Sequence, residues 1–225
     1  MRVASLGSGS KGNATLVEAG DTLVMVDSGL AYREVKNRLY SLGVKPSDID
    51  AVLVTHEHSD HVRSVNAISN AYDLPVFLTA GTATNRNLHG LAKKVLIRPG
   101  DQFVVGELEV AAEPVPHDAR EPVQFCLRYA NQKLGILTDL GSITPHIVRA
   151  FSNCDAMLLE FNYDPKMLAE GPYPDYLKSR VASDFGHLAN TQARDFLDLA
   201  GTEKLRTLFL AHISQQNNHP DLVTA

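Results

Sequence analysis

At 225 residues, 44% of them hydrophobic, the chain is long enough for one large core, and no run of about 18 apolar residues marks a membrane span. A formal net charge of −5 argues against binding nucleic acid through a broad basic surface, though not against local phosphate chemistry assisted by bound cations. The two cysteines, Cys126 and Cys154, are isolated in apolar stretches, which points away from a disulfide scaffold or thiolate metal site and toward the reducing cytoplasm.

Arg2–Leu6 reads directly as a first strand, with no apolar leader before it. Ala14–Ala19 and Thr22–Asp27 read as two more, parted by a Gly/Ser loop and by Gly20-Asp21. Leu30–Leu42 has helical spacing, with Val35, Leu39 and Leu42 on one face, and stops at Gly43. Ala51–Val54 is a buried strand, followed at once by His56-Glu57-His58-Ser59-Asp60-His61. His61–Ala71 then reads as one helix with Val62, Val65 and Ile68 inward. Pro75–Leu78, Lys94–Ile97, Glu107–Ala112, Gln124–Tyr129 and Lys133–Leu137 are further strands. Thr144–Ala150 is a short helix, Ala156–Glu160 a buried strand, Thr191–Leu199 a helix entered through Asn190, and Thr207–Leu210 a strand running on to His212. No repeat or linker interrupts this, so residues 1–225 are expected to form one α/β domain of two mixed sheets packed face to face with helices outside.

Three of nine histidines fall within six residues, at the C-terminal end of an apolar strand, where α/β architectures place their sites. Side chains at i and i+2 can point the same way, so His56 and His58 can grip one ion, while Asp60 and His61 face a second. Imidazole and carboxylate suit zinc, manganese or iron. A His-x-His-x-Asp-His spacing arises by chance at roughly 3 in a million starting positions, so a histidine-rich surface loop is a poor account of it.

The run resembles the signature of the metallo-β-lactamase superfamily, and later motifs extend the likeness along the chain. The resemblance implies a four-layer αββα sandwich of two mixed β-sheets flanked by helices. It also implies a lone histidine, a bridging aspartate and a last histidine, roles that fit His117 in Pro116-His117-Asp118, Asp139 in Thr138-Asp139-Leu140 and His212 in Ala211-His212-Ile213. One metal would then take His56, His58, His117 and Asp139, and a second Asp60, His61, Asp139 and His212. Water made nucleophilic by two cations is the chemistry implied, with Asp60 and Asp139 among the catalytic residues.

The superfamily covers lactams, thioesters, lactones and phosphodiesters, so the fold does not choose the reaction. Gly186-His187 before the helix from Asn190 resembles the Gly-His motif of the phosphodiesterase branch, where the histidine is placed to help expel the leaving oxygen or to bind phosphate; on its own it also reads as a capping segment with Asn190 as N-cap. Leu6-Gly7-Ser8-Gly9-Ser10-Lys11-Gly12-Asn13, Glu160-Phe161-Asn162-Tyr163-Asp164, Gly171-Pro172-Tyr173-Pro174 and His212-Ile213-Ser214-Gln215-Gln216-Asn217-Asn218 resemble the YycJ/WalJ group. That likeness implies a DNA exonuclease acting from the 5′ end in DNA repair, with RNA a second candidate substrate. It also implies a further helix beyond Ala225, so a short or cut chain is expected.

Lys178, Arg180, Asn190 and Asn217 are candidate substrate contacts; as solvated charges, packing residues or caps they carry nothing. Tyr173 is read as packing under its Pro-rich loop, and the Gly/Ser loop either as a phosphate cradle or as a plain turn. The basic residues Arg33, Lys36, Lys93, Lys94, Arg98, Lys178 and Arg180 are scattered. The alternative to a nuclease is a thioesterase or lactonase on the same dinuclear centre, and behind it a non-catalytic metal-binding protein.

Overall fold

In the computed structural model, which describes residues 1–224, the first apolar runs fold as β1 (Arg2–Gly7), β2 (Ala14–Ala19) and β3 (Thr22–Val26). Helix α1 (Tyr32–Ser41) buries Val35 and Leu39. β4 (Ala51–Leu53), α2 (Ser59–Val62), α3 (Val65–Tyr72), β5 (Val76–Thr79), α4 (Ala80–Ala83), β6 (Lys94–Ile97), β7 (Gln102–Val105) and β8 (Leu108–Pro114) follow. Then come β9 (Val123–Tyr129), β10 (Gln132–Leu137), α5 (Pro145–Phe151), β11 (Ala156–Glu160), α6 (Pro165–Glu170), α7 (Asp175–Val181), α8 (Asn190–Ala200), β12 (Thr207–Ala211) and α9 (Pro220–Thr224).

The strands form two six-stranded mixed sheets, β1 to β6 in one and β7 to β12 in the other, as expected. The first has the order β1-β2-β3-β4-β5-β6, with the β1–β2–β3 pairs antiparallel and the rest parallel. In the second, β7 pairs antiparallel with β8, and β10, β11 and β12 run parallel. Contacts divide the chain into two compact units. The first is Met1–Ala112 with Ala119–Val123 and Arg128–Ala130; the second takes Glu113–Asp118, Gln124–Leu127 and the chain from Asn131 on.

The first unit closes an apolar core around Leu16, Met25, Val35, Leu39, Val52 and Ile68. Each such side chain contributes roughly 1.5–3 kcal/mol by leaving water. The parallel strand β4 (Ala-Val-Leu) reads as a continuous apolar run because neither of its faces meets solvent. In the second unit Phe151, Phe161 and Phe196 are fully buried. A smaller cluster of Tyr163, Leu168, Val181 and Ala189 holds α6 and α7, and Tyr173 packs against it, as expected. Cys126 and Cys154 are both buried. No helix among the described residues is long and apolar enough to cross a membrane.

Three expectations need correction. The helix expected over His61–Ala71 is two helices, broken at Ser64, whose N–H and hydroxyl both turn to the Ser28 carbonyl (2.8 and 3.0 Å). Strand β7 and helices α4, α6 and α7 lie outside the elements expected from the sequence, although Asp164 caps α6 by accepting from the Lys166 and Met167 N–H groups, with Pro165 at the first position. The N-cap of α8 is Ala189, not Asn190. Of the two readings of the Gly/Ser loop, the turn is the one formed: the Gly9 N–H is taken by Asn13 Oδ1 (2.8 Å) and the Gly12 N–H by the Gly9 carbonyl (2.9 Å).

Candidate metal centre

The histidine run leaves β4 through Thr55 and reaches α2 at Ser59, so its side chains sit where a buried strand hands over to a helix. Asp27, just past the parallel neighbour β3, lies beside it in a left-handed conformation (φ 59°), tolerable for aspartate. This buried carboxylate organises the run. It accepts from the Thr55 N–H (2.9 Å) and hydroxyl (2.8 Å) and from His61 Nδ1 (2.8 Å). Burial pushes the Asp27 carboxyl up, against the opposing pull of His61 and Thr55.

With Nδ1–H donated to Asp27, His61 keeps a lone pair on Nε2, which the Asn13 amide approaches at 2.9 Å. Thr55 Oγ1, having donated to Asp27, accepts from His56 Nδ1 (3.0 Å), which leaves His56 Nε2 as the basic atom. That nitrogen lies 3.0 Å from His58 Nδ1. Asp60 is fixed through its backbone: its carbonyl accepts from the Asn13 N–H (2.7 Å), and Gly29 presses against it so closely that a Cβ there would stand 1.6 Å from the same oxygen.

The second unit carries its own cluster. Asp139 follows β10, Glu160 ends β11, His212 follows β12, and His187 precedes α8. The adjacent parallel strands β10, β11 and β12 present these ends side by side, and Asp139, Glu160, His187 and His212 form one group able to hold a cation. His212, itself left-handed (φ 52°), donates Nδ1–H to the Thr138 carbonyl (2.7 Å), with Asp139 Oδ1 3.1 Å away. Its backbone carbonyl accepts from Asn162 (2.9 Å). His117 Nδ1 is held by the Gly186 carbonyl (3.1 Å), and its Nε2 stands 3.9 Å from Asp139 Oδ1.

Glu160 is fully buried; Oε2 accepts from the Leu140 and Leu188 N–H groups (3.1 and 3.2 Å) and Oε1 from His187 Nδ1 (2.7 Å). Burial raises its pKa above the usual carboxylate value, against the pull of His187. Burial alone would lower the His187 imidazole, but the Glu160 carboxylate outweighs it and the net shift is upward. Gly186 cannot be replaced in this turn: a Cβ would lie 2.2 Å from the Val181 carbonyl oxygen.

The donor set fits divalent cations. His56, His61, His117 and His212 each have Nδ1 engaged by an oxygen, which selects Nε2 as ligand atom, the outer arrangement typical of metal-binding imidazoles. Sequence reasoning missed Asp27 and Glu160 as members of the site. Each is a carboxylate closing an otherwise apolar strand run, and that was the available signal.

The candidate substrate contacts fare differently. Asn190 and Asn217 are buried, at 2% and 1% exposure, so neither side chain is open to a nucleic acid. Asn190 instead exchanges two bonds with Asn218 (3.0 and 2.8 Å), which also donates to the Phe161 carbonyl. Asn217 supplies its backbone carbonyl to Asp164. Lys178 donates to the Ala169 carbonyl (2.6 Å), and Arg180 pairs with Asp118 (2.5 Å), the residue after His117.

The family model of the metallo-beta-lactamase superfamily matches residues 7–212. The exodeoxyribonuclease YycJ of Bacillus anthracis is 32% identical over 96% of this chain and 84% of its own length. The exodeoxyribonuclease WalJ of Streptococcus pneumoniae is 30% identical over 96% and 83%. Among solved structures, the metallo-beta-lactamase fold protein YhfI from Bacillus subtilis superposes with a TM-score of 0.77 at 19% identity, covering 99% of this chain and 89% of that one. The last likeness shows the fold expected from the sequence.

Proposed function

The chain belongs to the metallo-beta-lactamase superfamily, and we propose that it is a metal-dependent nuclease that shortens DNA from its 5′ end by phosphodiester hydrolysis. The observation that carries this reading is the bond between His187 Nδ1 and buried Glu160, beside Asp139 and His212. A thiolate leaves an acyl carbon without a proton, whereas a sugar oxygen leaving phosphorus needs one. The extended similarity to two exodeoxyribonucleases supports the same choice.

As the resemblance implies, His56, His58, His117 and Asp139 would hold one divalent cation, and Asp60, His61, Asp139 and His212 a second. Imidazole and carboxylate donors suit zinc, manganese or iron. When bound, such ions supply Lewis acidity and a nucleophilic water near neutral pH. Asp27 keeps His61 in the Nε2-basic tautomer, and Thr55 does the same for His56. Thr138 orients His212. Glu160 holds Nδ1 of His187 so that the proton on Nε2 is presented to the departing oxygen. The buried cysteines fit a cytoplasmic enzyme, and DNA repair is the role the resemblance implies.

The test is degradation of 5′-phosphorylated single- and double-stranded DNA, with RNA of the same sequence alongside, in added manganese or zinc. Release of mononucleotides from DNA by the wild type, and none by His58→Ala, is the expected result. Equal DNA products from both proteins, or turnover confined to thioester and lactone substrates, overturns it.

A further inference from the structure

Beside the histidine run, and wholly within the first unit, lies an open polar groove of about 630 Å³ along which Arg63 and Arg86 are exposed. Its polar lining is Ser59, Arg63, Asn66, Asn70, Arg86 and Asn87, and no carboxylate faces it. Ser59 belongs to the run itself, between His58 and Asp60. This is the size of a ligand pocket, but its walls are donors rather than apolar side chains.

Three features make it a built anion site. Neither the Arg63 nor the Arg86 guanidinium has an ion-pair or hydrogen-bond partner among the described residues. Arg2, Arg38, Lys93 and Arg180 are each paired with a carboxylate, whereas these two guanidinium groups share one groove with no acid in its lining. The walls are also braced. Asn85 ties the Arg86 turn to the histidine run by donating to the Glu57 carbonyl (3.1 Å) and accepting from the Asn87 N–H (2.8 Å). Asn70 donates to Asn66 Oδ1 (2.9 Å) and to the Gly90 carbonyl (2.7 Å), which leaves the Asn66 amide hydrogens for a ligand. Finally, a planar guanidinium fork matches two oxygens of a phosphate, and Asn and Ser add neutral donors to phosphate and sugar.

We propose that this groove binds the sugar–phosphate backbone of a DNA strand next to the scissile bond, with Arg63 and Arg86 each neutralising one phosphate. The assignment rests on the nuclease reading. It reconciles that reading with the net charge of −5, because two unpaired cations at the site replace a broad basic surface.

The experiment is fluorescence anisotropy of the metal-loaded enzyme with a 5′-phosphorylated phosphorothioate single strand labelled at its 3′ end, across a salt series. For Arg63→Gln/Arg86→Gln, Kd rises about tenfold or more at low salt, and the slope of log K against log salt falls by about 1.4, roughly 0.7 per charge. Arg63→Lys/Arg86→Lys keeps the slope and loses part of the affinity, since charge survives and the fork does not. Arg33→Gln/Lys45→Gln, the same charge loss elsewhere in the first unit, keeps the slope and stays within about twofold of wild type in affinity. An unchanged slope in Arg63→Gln/Arg86→Gln, or an equal loss in Arg33→Gln/Lys45→Gln, overturns the assignment. If the wild type still degrades DNA in that case, the groove alone is misassigned; a wild type that neither binds nor degrades DNA removes both readings.

Discussion

Glu160 Oε1 accepts from His187 Nδ1 across 2.7 Å, and the carboxylate has no exposure to solvent. Two backbone N–H groups fix the other oxygen, so the imidazole ring is held by a rigid partner. His187→Ala is therefore expected to lower kcat on DNA by about a hundredfold or more with little change in KM. On a p-nitrophenyl ester of a nucleotide the loss shrinks, because nitrophenolate leaves without a proton. Glu160→Gln, a change in a positioning residue, costs about tenfold or more in kcat on DNA, with the same dependence on leaving group. Equal losses on both substrates would show that His187 does something other than protonate the leaving oxygen.

Asp27 is the corresponding partner in the first unit. Its side chain accepts from Thr55 twice and from His61 Nδ1, with nothing to donate. In Asp27→Asn one of those oxygens becomes an NH₂ group. The amide then faces either the Thr55 N–H or the His61 ring, and the second arrangement moves the imidazole proton to Nε2, the ligand atom. Metal affinity measured by competition with a chromophoric chelator is expected to fall 10- to 100-fold. Affinity equal to wild type would sink the claim that Asp27 sets this tautomer.

The histidine run, the strand ends at Asp139 and His212, and the lone His117 stand out in the sequence because they put rare residue types at strand termini, and the fold gathers Asp139 and His212 into one group able to hold a cation. Apolar runs located most strands for a similar reason: β2, β6 and β11 match their expected bounds. What escaped depends on contacts distant in sequence. Nothing local says that Ser64 will abandon a helix to reach Ser28, or that Asn190 will be spent on Asn218, 28 positions away. Arg63 and Arg86 belong to no motif, and only the fold brings them to one groove.

Metal removal should register in stability as well as in turnover. A cation that binds only the folded chain stabilises it by about 2.7 kcal/mol when present at about 100 times its Kd. For a chain of this length that corresponds to a Tm rise of roughly 5–10 °C. Dialysis against a chelator is expected to abolish activity and lower Tm, with both restored by zinc or manganese. His58→Ala should lose most of the metal-dependent Tm increment while its metal-free Tm stays near wild type, since His58 is a donor rather than a core residue. A metal-free wild type that melts at the same temperature as the loaded protein would mean that the ions bind elsewhere or hardly at all.

The last prediction concerns a residue with no side chain. Gly29 is buried, donates its N–H to the Asn13 carbonyl (2.8 Å), and leaves no room for a methyl group against the Asp60 backbone. Asn13 in turn donates its own N–H to the Asp60 carbonyl, so Gly29, Asn13 and Asp60 form one closed backbone contact. Gly29→Ala must push the Asp60 peptide away from the β3–α1 turn, and Asp60 carries a carboxylate proposed as a metal ligand. The expected cost is about 3 kcal/mol of stability, read from the urea midpoint, together with weakened metal binding. Loss in both readouts follows only if the glycine contact is what sets the position of Asp60. A Gly29→Ala protein with a lowered urea midpoint but wild-type metal affinity would confine the contact to packing; one with a wild-type midpoint would mean that the turn yields freely.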